Sequence, residues 1–63
     1  MISTTMKWQY LTIELATGST AEEINRALLA QGVNGWELVS IYSTNGLGGL
    51  TSYIFATFKK PLG

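Results

Sequence analysis

Between Lys7 and Leu15 the chain alternates, with Trp8, Tyr10, Thr12 and Glu14 in one set and Gln9, Leu11, Ile13 and Leu15 in the other. A period of two in a run rich in aromatic and β-branched residues, free of Gly and Pro, predicts a strand. Ala16 to Ser19, around Gly18, reads as a turn. The period then lengthens: Ile24, Ala27, Leu28 and Gln31 make one stripe at helical spacing, widened by Leu29 or Ala21. Ser19 with Glu22, or Thr20 with Glu23, fits a capping box, in which the hydroxyl accepts from a free backbone N–H and the glutamate returns the bond. Both acids fall in the first turn, where the helix dipole favours negative charge. The predicted helix runs from Thr20 to Gln31, with Gly32 suited to a left-handed C-terminal cap.

Val33, Asn34 and Gly35 make a tight connection to a second strand over Trp36–Thr44. Strict alternation there puts Trp36, Leu38, Ser40 and Tyr42 on one face, and Glu37, Val39, Ile41 and Ser43 on the other. Asn45–Gly49 reads as a Gly-rich hairpin turn before a third strand over Leu50–Lys59. Tyr53, Phe55 and Thr57 share one face of it, Ser52, Ile54, Ala56 and Phe58 the other, and Pro61 is expected to end regular pairing.

The element order predicts an α+β fold, a single β-α-β-β two-layer domain spanning residues 1–63, with residues 1–5 a disordered extension. A right-handed crossover sets the first two strands parallel, and the hairpin sets the third antiparallel to the second. The third strand, the longest apolar run, is placed in the middle, giving order 2-3-1; order 1-2-3 is the alternative. One helix covers one sheet face, yet two faces are apolar. The aliphatic set (Leu11, Ile13, Val39, Ile41, Ile54, Ala56 and Phe58) suits the helix stripe. The aromatic set then stays uncovered: Trp8, Tyr10, Trp36, Leu38, Tyr42, Tyr53 and Phe55. Each large aromatic buries roughly 150–250 Å² when covered. Several exposed together exceed the patch usual on a monomer.

Composition sharpens this. A chain of 63 residues buries only about 60% of its unfolded surface and needs a disulfide, a metal or a partner. It holds no Cys, no His and no Asp, and four Glu are not a zinc ligand set, so association is the route left. The four acids balance the four bases, which weakens self-repulsion and argues against nucleic-acid binding. No membrane span or signal peptide is visible, and the cytoplasm is the default compartment.

Lys7-Trp8-Gln9-Tyr10, Gly32-Val33-Asn34-Gly35-Trp36-Glu37-Leu38-Val39 and Phe58-Lys59-Lys60-Pro61-Leu62 carry a resemblance. In order and spacing they resemble the small bacterial family of domain of unknown function 4177, with its W-x-Y opening, G-x-x-G-W-E-L-V middle and F-K-[RK]-P end. The resemblance covers the chain from Met6 onward and implies a compact β-α-β-β fold. It implies no activity.

Each candidate site has a plainer role beside it. Trp36 could be a stacking platform and Glu37 a ligand-facing carboxylate, but glycine and tryptophan at an element boundary are more often architectural. Asn45–Gly49 precedes a strand, where a phosphate loop would precede a helix. Glu14 and Glu37 are placed on opposite faces, so no carboxylate pair forms, and without His, Cys or Asp no nucleophile–base set exists. Lys7, Lys59 and Lys60 read as a solvated basic end, too sparse to turn the aromatic sheet into an RNA platform. The expected function is therefore a non-enzymatic, homo-oligomeric module, a dimer or higher, using no cofactor or metal. The partner is a second copy, not nucleic acid or membrane. A small-ligand module, with an aromatic pocket of Tyr10, Tyr42 and Tyr53 at the subunit interface, is the second reading.

Overall fold

A computed structural model describes residues 6–45 and 52–62. Residues 1–5, and the Gly-rich part of the expected hairpin turn, lie outside them. Strand β1 (Trp8–Leu15) leads through a turn at Gly18 to helix α1 (Ala21–Gly32), then to strands β2 (Glu37–Asn45) and β3 (Ser52–Pro61). The sheet order is β1-β3-β2, with β3 antiparallel to both neighbours, as the apolar length of the third strand predicts. Edge strands β1 and β2 therefore run parallel to each other.

Of the two possible caps, Thr20 takes the position. Its hydroxyl accepts from the Glu23 N–H at 3.2 Å, and the Thr20 N–H donates to Glu23 Oε1 at 2.9 Å. At the other end the expectation is corrected. Gly32 stays helical, and Val33 is still right-handed at φ −66°. The left-handed residue is Gly35, at φ +89°. The Gly35 N–H donates to the Gly32 carbonyl at 3.0 Å and the Trp36 N–H to the Gln31 carbonyl at 3.2 Å. This is a Schellman closure, which satisfies two of the free carbonyls at the helix end. Pro61 likewise stays inside β3, opposite Trp8. β2 begins opposite Lys59, so at Pro61 the central strand has a neighbour on one side alone and the missing N–H costs no ladder bond there.

Leu15, Ala56 and Phe58 are buried beneath the helix, and Ile24, Ala27 and Leu28 pack onto them from above with Leu11, Ile13, Trp36 and Ile54 around. Leu15, Ala56 and Phe58 are the buried hydrophobics among the described residues, and the others are half-buried. The aliphatic face of β1 and β3 is thus the covered one, and among the described residues the opposite face carries no layer.

Candidate interaction surface

Strand register builds the open face row by row. Tyr10 pairs with Lys59, Thr12 with Thr57 and Glu14 with Phe55. On the other side of β3, Ser40 pairs with Thr57, Tyr42 with Phe55 and Thr44 with Tyr53. Tyr42 and Phe55 lie with ring centres 5.7 Å apart, tilted by 39°; Tyr53 stacks on Phe55 at 6.1 Å. Trp8 exposes 36% of its surface, Tyr10 65%, Tyr42 45% and Tyr53 37%, while Phe55 is half-buried between its neighbours. The Thr12 and Thr57 hydroxyls are hydrogen-bonded at 2.9 Å across the middle of the face.

Five of the seven residues expected on this face are there. Trp36 and Leu38 are not. A register shift falls between Leu38 and Ser40, leaving Val39 without a partner in β3. The extra residue reverses the alternation upstream of it. Leu38 stands opposite Phe58, on the helix side, and Trp36 packs against the core cluster. Glu37 is turned to the open face instead, where its carboxylate lies 3.8 Å from the Lys59 ammonium. The adjacent apolar pair Leu38-Val39, out of step with alternation, is the trace of the bulge in the sequence.

Glu14 and Glu37 therefore share a face, contrary to their expected placement. Four residues along the strand and two strands across still hold their positions about 17 Å apart. That is too far for two carboxylates to work on one substrate. No enclosed cavity forms among the described residues, and no helix among them is long and apolar enough to cross a membrane.

At one end of the sheet two lysines grip two tryptophans on opposite faces. The Lys59 ammonium sits 4.3 Å from the Trp8 ring centre on the open side. Lys60 sits 4.5 Å from that of Trp36 on the covered side, and donates to the Asn34 carbonyl at 3.3 Å. Such contacts contribute about 0.5–1 kcal/mol each when exposed. The three sequence stretches that carry the family resemblance thus meet here. Trp8 enters from β1, Gly35 to Leu38 from the helix–strand junction, and Phe58 to Pro61 from β3.

The fold and this surface define a two-layer α+β domain whose helix closes one sheet face and whose other face presents aromatic side chains. Residues 8–61 match the model of the family described as Domain of unknown function (DUF4177), and the chain belongs to that family. No curated protein and no solved structure matches it.

Proposed function

We propose that the domain is a non-enzymatic interaction module that associates with a second copy of itself through the open aromatic face. The observation that carries this reading is the contiguous set Trp8, Tyr10, Tyr42, Tyr53 and Phe55 on a face with no covering layer among the described residues. The thinness of the core beneath the other face adds to it, since so short a chain gains stability from a partner. Among the described residues the face carries one cation, Lys59, already engaged by Glu37 and Trp8, so nucleic acid is a poor occupant. The cytoplasm is the proposed compartment, because the fold relies on no disulfide.

Tyr53→Lys is the most direct probe, because Tyr53 lies away from the lysine–tryptophan grip. Burying an unpaired ammonium in an apolar seam dissociates it. A folded variant at the 6.9 kDa of a single chain is expected; an unchanged mass sets the interface elsewhere. The second reading, a small-ligand pocket at the seam, draws on the phenol groups of Tyr10 and Tyr42 beside the threonine hydroxyl pair. A thermal-shift screen of aromatic and polar small molecules tests it, and an absence of any stabilising compound counts against it.

A further inference from the structure

We infer that the two copies pack face to face about a two-fold axis lying across the strands, so that facing strands run in opposite directions. This rests on the self-association proposed above. Thr12, Thr57 and Ser40 form one row of small hydroxyl residues across the open face. The larger side chains fall into two banks on either side of that row. Trp8, Tyr10, Lys59 and Glu37 make one bank; Glu14, Phe55, Tyr42 and Tyr53 make the other.

Rotation about the row lays each bank on the opposite bank of the second copy. Two positions from the axis, Tyr10 comes over the second copy's Glu14, and Glu37 over its Tyr42. Each carboxylate of the face gains a phenol O–H as donor. Lys59 comes over the second copy's Phe55, with Glu14 beside it. The stacked sheets stand about 10 Å apart, a gap that a lysine and a glutamate span together. Glu14 is exposed and has no ion-pair partner among the described residues, so it is free to take this one.

The other face-to-face two-fold axis, along the strands, sets β3 on β3 in the same direction. That stacks Lys59 on Lys59, each with its own Glu37 beside it, and leaves Glu14 opposite Tyr42 without a cation, so two carboxylates are buried unpaired in the seam. Pairing through either sheet edge leaves the aromatic rings exposed. The distribution of charge therefore selects the axis across the strands.

Glu14→Lys and Lys59→Glu, prepared separately and then mixed, test this. Each alone meets like charge at both ends of the seam and weakens association about tenfold or more. In the mixed pair, the lysine introduced at position 14 of one copy meets the glutamate introduced at position 59 of the other. At the far end of the seam the native Lys59 meets the native Glu14, so mixing recovers the affinity of the unaltered chain. Circular dichroism confirms that each variant is folded. If Lys59→Glu does not fold, Thr57→Cys and Thr44→Cys treated with a short bismaleimide decide together: position 57 lies on the axis and forms a covalent dimer. Thr44→Cys stays unlinked, because its two copies lie about 27 Å apart along the strands. Undiminished association of Glu14→Lys, no rescue on mixing, no link at 57, or any link at 44 overturns the arrangement while leaving the aromatic interface standing. A monomeric unaltered chain overturns both.

Discussion

Two glycines three residues apart carry different loads. Gly32 is helical with open space where a Cβ would stand, whereas Gly35 needs the left-handed region for the Schellman closure. Gly32→Ala is expected to stabilise by about 0.5–1 kcal/mol, and Gly35→Ala to destabilise by about 1–2 kcal/mol. Urea denaturation of the two variants reads the opposite signs. A cap at Gly32 is a reasonable expectation, since the apolar stripe ends at Gln31. What the sequence conceals is that the helix tightens for one more turn before the chain reverses. The N-terminal cap is legible to within two alternatives, because hydroxyl and carboxylate must stand three residues apart. Thr20 holds the Glu23 carboxyl below its ordinary value of 4.5, chiefly through the backbone N–H bond and then through the hydroxyl. A depressed folded-state value means that the cap's contribution is full above pH 4.5 and is lost as pH falls through the lower, folded value. Glu23→Gln keeps an acceptor for the Thr20 N–H and removes this titration. Helicity followed by circular dichroism should fall less on acidification in that variant; an identical acid limb contradicts the assignment.

The strands are legible where alternation is strict and become misleading where it breaks. β1 and β3 keep a clean period of two, and their faces follow from it. β2 carries one unpaired residue, Val39, and everything upstream of it, Trp36 included, lies on the face opposite to a strict reading. No glycine or turn residue marks that bulge; its one local trace is the adjacent apolar pair Leu38-Val39, and pairing with β3 decides it. Deleting one residue from a strand ordinarily turns the rest of it inside out. Here deletion of Val39 restores a regular ladder, with Leu38 still opposite Phe58 and Ser40 still opposite Thr57. That variant should keep a single cooperative unfolding transition. Deletion of Ile41, which sits opposite Ala56, should abolish it. Equal damage from the two deletions contradicts the bulge. The role of Trp36 shifts with its face. It anchors the helix–strand junction beneath Lys60, while Glu37 beside it reaches the opposite surface.

A small core and a broad uncovered face are one fact about the whole molecule. A domain of this length is expected to hold about 3–9 kcal/mol of stability. Phe58 is 1% exposed at the centre of the core, and truncating such a side chain costs about 3–5 kcal/mol. Phe58→Ala should therefore unfold the chain or leave it marginal, with the loss of the thermal transition as the readout. The uncovered aromatic face follows from counting one helix against two apolar faces, and β1 and β3 supply most of it. The rows of complementary side chains are not legible in advance, because they depend on the register across three strands. The most direct test is the mass of the unaltered chain by size exclusion with light scattering at micromolar concentration. Association through the open face predicts twice the 6.9 kDa of one chain, or a higher multiple. A folded, stable species of 6.9 kDa contradicts it.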